Sequence, residues 1–144
     1  GVEVVDSARL LRNVRVASVS KGLDPVAVVE TSLTLKQELA PDPGFYGFLY
    51  VEGVRVLAGN PAGSGVTLYF LTRALLDDGS EVNLHDEVQV AEGKGWDDWL
   101  RWVYDAVPNG RTVKSIRLYA YCSTTPSSGY EPTVAISTVT GLMV

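Results

Sequence analysis

Few residues of this chain can serve as a nucleophile or as a general base. His85 is the single histidine and Cys122 the single cysteine among 144 residues, so a Ser-His-Asp or Cys-His arrangement would have to use His85 as its base. His85 lies in the polar segment Asn-Leu-His-Asp-Glu, where alternation predicts a solvated face. Cys122 ends an apolar alternation and is expected to be a small core residue. The sequence therefore predicts neither a catalytic constellation nor a zinc site.

Carboxylates offer a second kind of chemistry. Calcium binds six to eight oxygen ligands from acidic loops, and the candidate ligands are Asp77, Asp78, Glu81, Asp97 and Asp98. A glycoside hydrolase would also need two carboxyl groups at a set separation. The third alternative is that these acids are simply solvated at turns and strand ends.

Aromatic side chains offer a third kind of chemistry, the binding of sugars. Trp96, Trp99 and Tyr130 are candidates for stacking on sugar rings, and Trp96 and Tyr130 are expected in exposed loops. The alternative is that such rings fill a β-sandwich core or pack under loops. Trp102 and Tyr104 share a predicted strand face with Leu100 and Ala106 and are predicted to be core.

A Val-rich segment opens the chain. Its apolar positions are Val2, Val4, Val5, Val14, Val16 and Val19. An extended apolar segment can add a strand to a neighbour's sheet, and a head-to-tail contact of this kind builds a filament or tube. The alternative is that the segment forms the first strands of its own sandwich. The break Pro41-Asp-Pro-Gly44 predicts an arm over residues 1–40, possibly inserted into a neighbouring subunit, and a core over residues 41–144.

The elements that would position these residues are strands. Residues 116–122 alternate between apolar and polar side chains, which predicts a strand with one buried face. Pro108-Asn-Gly110 precedes it and reverses the chain, so residues 96–122 form a β-hairpin or a corner between two sheets. Residues 26–39, 66–76 and 133–144 are also predicted strands, and a turn at Glu52-Gly53 would make residues 45–58 a hairpin.

Short strands separated by Gly, Pro and Asp turns, with no sustained helical period, predict an all-β fold. We expect a jelly-roll-like two-sheet antiparallel β-sandwich with an extended N-terminal strand arm.

Composition limits the classes of partner that this chain is expected to bind. The net charge of −5, with scattered basic residues, argues against nucleic acid. No apolar run is long enough to span a membrane. The first residue is Gly rather than Met, which is expected where a signal peptide has been removed or where the sequence starts partway along a gene.

Two resemblances follow from these patterns. From Trp99 to Tyr121, a Trp, a strand, Val107-Pro108-x-Gly110 and a second alternating strand resemble the C-terminal half of jelly-roll carbohydrate-binding modules. That resemblance implies a sugar ligand and a structural calcium ion. The family's Asp-Asn pair before the last strand is absent, because Val134-Ala-Ile-Ser137 stands there.

The second resemblance concerns the order of a Val-rich N-terminal arm, a Pro-Gly break and a jelly-roll core. This order is similar to that of the secreted β-sandwich subunits of archaeal extracellular filaments and tubes, including the cannula-forming family. This similarity implies an extracellular, non-enzymatic homopolymer that assembles by strand donation. The alternative function is that of a carbohydrate-binding module, and a third possible function is that of a β-sandwich enzyme.

Overall fold

The computed structural model describes the backbone of residues 15–20 and describes residues 23–101 and 103–144 in full. The strands are β1 (Arg15–Ser20), β2 (Val26–Ala27), β3 (Thr34–Leu39), β4 (Phe48–Asn60), β5 (Leu68–Leu76), β6 (Glu81–Asn83), β7 (Val88–Val90), β8 (Lys94–Arg101), β9 (Val113–Cys122) and β10 (Thr133–Met143). A single-turn 3₁₀ helix spans Val103–Ala106. None of the described helices is long and apolar enough to cross a membrane.

The strands pair as two antiparallel sheets. The first has the order β1-β10-β4-β8, with β2 also on the free edge of β10. The second has the order β3-β9-β5, and β6 and β7 both pair with β5. One residue pair, Phe48 with Val113, links the sheets. Two sheets of five strands each, both combining early and late strands, form a jelly-roll-like sandwich, so the predicted fold class is confirmed.

The core lies between the sheets. Its largest fully buried side chains include Phe48, Phe70, Ile116, Leu118 and Ile136. Burial alternates along β9 as the sequence predicted. Removal of these side chains from water is the main stabilising contribution, at about 1.5–3 kcal/mol for each large side chain.

Residues 45–58 do not form the predicted hairpin. β4 continues without a break through Glu52 and Gly53, and its pairing with β10 shifts register at Glu52, between the Gly53–Thr140 and Val51–Gly141 pairs. Gly53 serves close packing rather than a turn, because a Cβ there would lie 3.3 Å from the Trp99 ring. Bulges of this kind bend and twist a strand without ending it.

The predicted strand over residues 26–39 is interrupted because the chain changes sheets there. β2 pairs with β10 in the first sheet, and β3 pairs with β9 in the second. Between them, Val28 N–H donates to the Pro132 carbonyl and Cys122 N–H donates to the Glu30 carbonyl.

The segment 96–122 is the corner, not the hairpin, of the two predicted alternatives. β8 belongs to the first sheet and β9 to the second. The 3₁₀ helix and a turn with Gly110 at φ +82° connect them. Gly110 thus occupies the left-handed region that glycine reaches without strain.

The described part of the N-terminal region lies on an edge. Val16 and Val19 belong to β1, which pairs with β10 over six residues. Val2, Val4, Val5 and Val14 lie outside the described residues. Whether residues 1–40 act as an arm between subunits stays a prediction.

Candidate functional site

The two tryptophans predicted to bind sugar lie on opposite sides of β8. The expectation that Trp96 is in an exposed loop is wrong, because its side chain packs against the core with its ring centroid 5.8 Å from that of Phe70. Its Nε1 is buried without a hydrogen-bond partner among the described residues. Trp99 has the guanidinium of Arg101 over its ring at 5.2 Å. The two rings therefore cannot form one stacking platform.

Tyr130 is the exposed aromatic ring of the three. Its side chain is 52% exposed, and its ring lies over Gly63, where an added Cβ would meet it at 3.3 Å. Next to this contact is an open depression of about 460 Å³. The lining residues are Gly59, Asn60, Pro61, Ala62, Gly93, Lys94, Glu131 and Thr133. Tyr130 thus stands beside a depression that offers both hydrogen-bond donors and acceptors.

Buried hydrogen bonds hold the loop beneath Tyr130. Asn60 is 1% exposed. Its amide donates to the carbonyls of Val66 and Val90, and its Oδ1 accepts from the Ser64 hydroxyl. The loop 60–66 is therefore fixed by one side chain, because buried polar groups that are fully bonded favour a single conformation.

Four of the five acidic residues predicted to bind calcium are paired with arginines instead of with one another. Arg111 lies 3.5 Å from carboxylate oxygens of both Asp77 and Asp78. Asp97 lies 2.8 Å from Arg55, and the Asp98 carboxylate accepts the Trp99 backbone N–H. Within residues 23–101 and 103–144, no three His, Cys, Asp or Glu side chains form a group that could hold a metal ion. Calcium binding stays a prediction.

Glu81, the fifth predicted calcium ligand, belongs to a network on the outer face of the second sheet. Its carboxylate accepts from the Tyr119 hydroxyl at 2.7 Å and lies 3.1 Å from Arg117. Arg117 also binds Glu38, and this hydrogen bond lowers the pKa of Glu38 and raises that of Arg117. The register places Arg117 between Glu38 and Arg73, and sequence alternation alone did not indicate these cross-strand partners.

His85 is not solvated as predicted. Its Nδ1–H donates to the Asp86 carbonyl, and its Nε2 accepts the backbone N–H of Thr72 at 3.0 Å and lies 2.8 Å from the Thr72 hydroxyl. Burial lowers the pKa of the imidazole. Both ring nitrogens are therefore engaged: Nε2 holds the loop 84–87 on β5, and Nδ1 forms a hydrogen bond within the loop.

Cys122 is the core residue that the sequence predicted. Its side chain is 0% exposed, and its thiol contacts the Val28 carbonyl at 3.4 Å. Burial raises the pKa of this thiol, which keeps it protonated and unreactive at neutral pH.

A second cavity, which sequence reasoning missed, opens at the start of β4. Its volume is about 250 Å³. Its lining residues are Leu49, Tyr50, Val51, Tyr104, Val107, Pro108, Asn109, Gly110, Arg111, Thr112 and Val113. The rings of Tyr50 and Tyr104 lie 5.0 Å apart on one wall. Leu49 is 51% exposed and the neighbouring Tyr46 is 57% exposed, so apolar surface continues out of the cavity onto the sandwich exterior.

Comparisons with known proteins do not assign this chain to a family. No protein-family model matches the chain, and no curated protein matches it. Among solved structures, it is similar to a chain of the T13 IBDV viral particle, with 14% sequence identity and a TM-score of 0.46. The match covers 92% of this chain and 31% of that chain, so this chain spans about a third of its length. A likeness at this level carries no argument about function.

Proposed function

We propose that this chain is a secreted, non-enzymatic structural subunit that polymerises into an extracellular filament or tube by donating its N-terminal region, residues 2–19, to a neighbouring copy. The observation that carries the proposal is the position of β1. It is the outermost strand of the first sheet, and among the described strands it pairs with β10 alone.

An edge strand of this kind can be exchanged between copies at low cost. The six residue pairs from Arg15–Met143 to Ser20–Thr138 form equally well when β1 comes from another molecule. Exchange of an identical element between protomers is a known route to assembly. When each copy donates to the next, the contact does not close and a polymer results.

The sequence after β1 provides a hinge for this exchange. β1 and β2 lie along the same edge of β10, and residues 21–25, Lys-Gly-Leu-Asp-Pro, separate them. Five extended residues span roughly 17 Å. Gly22 and Pro25 favour a change of chain direction there.

Electron microscopy of the purified chain at rising concentration tests the proposal. Filaments or tubes are expected from the intact chain. A variant without residues 1–20 should remain unassembled, and addition of a synthetic peptide of residues 1–20 should cap its free β10 edge without restoring polymers. Parallel samples with Ca²⁺ and with a chelator test the predicted acidic ligands. Monodisperse particles of the intact chain under all conditions would contradict the proposal.

A carbohydrate-binding module is the second candidate, and the depression beside Tyr130 favours it. An exposed aromatic ring next to Glu131, Lys94 and Thr133 combines a stacking surface with hydrogen-bonding groups. This function predicts a monomer that binds glycans on an array and loses that binding in Tyr130→Ala. Trp99→Ala is the matched control, because Trp99 pairs with Arg55 and does not line the depression.

A further inference from the structure

β6 and β7 leave a gap where they pair with β5. β7 pairs with residues 68–70 of that strand, and β6 pairs with residues 73–75. Leu71 and Thr72 lie between these two stretches, and residues 84–87 connect the two short strands across the gap. Because a loop covers β5 there instead of a strand, the backbone polar groups of β5 need other partners at this point.

The imidazole of His85 replaces a backbone carbonyl in this gap. The Thr72 carbonyl accepts the Leu84 N–H at 3.0 Å, as in a strand ladder, but the Thr72 N–H donates to His85 Nε2 at 3.0 Å. The Nδ1–H of the same ring donates to the Asp86 carbonyl at 2.7 Å. The neutral ring with its proton on Nδ1 is therefore the form that satisfies both contacts.

Protonation of His85 removes the acceptor that the Thr72 N–H uses. Both nitrogens of a charged imidazole are donors, so the Nε2–H and the Thr72 N–H would point at each other. The Thr72 hydroxyl lies 2.8 Å from Nε2 and can accept from the charged ring. The backbone N–H would still lack an acceptor, and Thr72 is 0% exposed, so water does not replace it. The charged ring therefore favours leaving the gap.

The charges around the ring do not offset this loss. Asp86 favours the charged imidazole, but burial has the larger and opposite effect and lowers the pKa of His85. β5 also contributes the uncharged ring of Phe70, whose centroid lies 6.4 Å from that of the imidazole, and β7 carries no charged residue. The other charged side chains beside the gap are hydrogen-bonded to residues other than His85: Arg73, Glu81 and Glu87.

We infer that residues 85–87 form a pH-sensitive loop, which is closed on Thr72 while His85 is neutral and opens when His85 is protonated, with the rest of the sandwich folded. Leu84 marks the start of the moving part, because its side chain is 5% exposed and packs in the core. β7 begins at Val88 and marks the end. Only three residues move, and the opening gives water access to the Thr72 N–H on the edge of the second sheet.

Proton linkage sets the size of the effect. In the open loop the imidazole regains a pKa of about 6.5. At pH 4.5 it is then protonated in about 99% of open loops, so the open form is favoured by up to about 80-fold relative to pH 7. The sign follows from the lowered pKa of the closed form, because protons bind the open form more strongly.

Amide hydrogen exchange followed by NMR tests the inference. The protection factor of the Thr72 amide, relative to an unstructured peptide at the same pH, should fall at least about tenfold between pH 7 and pH 4.5. The fall should begin near pH 6.5 and level off where nitrogen chemical shifts show that the His85 ring is protonated. Unchanged protection, or a fall confined to pH values below about 4, where carboxylates titrate, would overturn the inference.

Urea distinguishes local opening from unfolding of the whole domain. Opening of three residues exposes little surface, so low urea concentrations should leave the exchange of Thr72 at pH 4.5 unchanged. Val56 is the reference, because it is 0% exposed and pairs with a strand on each edge of β4; its exchange should accelerate with urea. Equal urea dependence at the two amides would mean that Thr72 is exposed only by global unfolding, which overturns the inference.

Two variants assign the titrating group. His85→Gln keeps an acceptor oxygen for the Thr72 N–H but binds no proton in this range, so the protection of Thr72 should be the same at pH 7 and pH 4.5. Glu87→Gln is the matched control, because it removes a carboxylate of the same loop, and it should keep the pH dependence of the intact chain. Loss of the pH dependence in Glu87→Gln but not in His85→Gln would overturn the inference. If His85→Gln does not fold, the pH profile of Thr72 in the intact chain still decides.

Discussion

Replacement of Asn60 by Ala should be among the most damaging changes to a polar residue in this protein. Asn60 donates to the Val66 and Val90 carbonyls at 2.8 and 2.9 Å, and it accepts from the Ser64 hydroxyl at 2.6 Å. All four residues are buried, with exposed fractions of 5% or less. The substitution therefore leaves three polar groups without their partner and without access to bulk water.

The magnitude follows from these unsatisfied groups. Each buried group that loses its partner costs about 1–3 kcal/mol. Partial relaxation or an entering water reduces the sum, so we expect a loss of about 2–4 kcal/mol in the free energy of unfolding. For a domain of this size the corresponding fall in Tm is about 5–15 °C. Asn60→Asp should be destabilised more at pH 7 than at pH 4, because its carboxylate would face two carbonyl oxygens.

Urea unfolding followed by circular dichroism measures this loss. The midpoint should fall while the slope stays unchanged, since the folded and unfolded surfaces are nearly the same. Asn83→Ala is the matched control, because Asn83 makes one exposed hydrogen bond, with Arg73, and such a change usually stays within about 0.5 kcal/mol. If the two variants lost equal stability, the argument from buried hydrogen bonds would be refuted.

Three further predictions concern titration and packing. Burial lowers the pKa of His85, so as the pH falls below about 6.5 the imidazole is protonated in the unfolded chain before it is protonated in the folded one. The free energy of unfolding should decline below this pH. Urea titrations of His85→Gln should lack that part of the pH dependence. The Glu87 carboxylate raises the pKa of Tyr121 to about 12, so stability should fall between about pH 10 and 12. An ultraviolet titration should show tyrosines that ionise late, and Glu87→Gln should shift the Tyr121 contribution to lower pH. A Cβ on Gly141 would overlap a backbone carbonyl of β4, whereas a Cβ on Gly59 would meet only a hydroxyl at 3.7 Å. Gly141→Ala should therefore give little folded protein. Equal melting temperatures for Gly141→Ala and Gly59→Ala would contradict this steric argument.

The sequence predicted individual strands well where one face is buried. Alternation along β9 and the apolar β5 predicted both strands, because side-chain burial in a sheet repeats every two residues. It did not predict the pairing order, which depends on contacts between distant segments such as β1 and β10. The sequence pattern also predicted a turn at Gly53, where a Cβ would instead lie 3.3 Å from the Trp99 ring within a continuous strand.

The functional residues were harder to predict for a related reason. His85 was assigned by alternation, but residues 84–87 are not a strand, so alternation has no meaning there. Trp96 was expected in an exposed loop, yet it lies within β8, where it pairs with Ala58. The cavity beside Leu49 depends on where β8 ends and β9 begins, which no local pattern specifies.

The place of β10 in the first sheet bears on how the protein is made. β10 comes after all the other described strands along the chain, yet in the sheet it lies between β1 and β4. During translation, residues 133–143 leave the ribosome after the other nine described strands, and until then β1 lacks its partner and one edge of β4 is open. Domains whose early strands wait for a late one expose aggregation-prone edges for longer. The first sheet therefore closes only after β10 emerges, and a nascent chain that has not reached it cannot complete the sandwich.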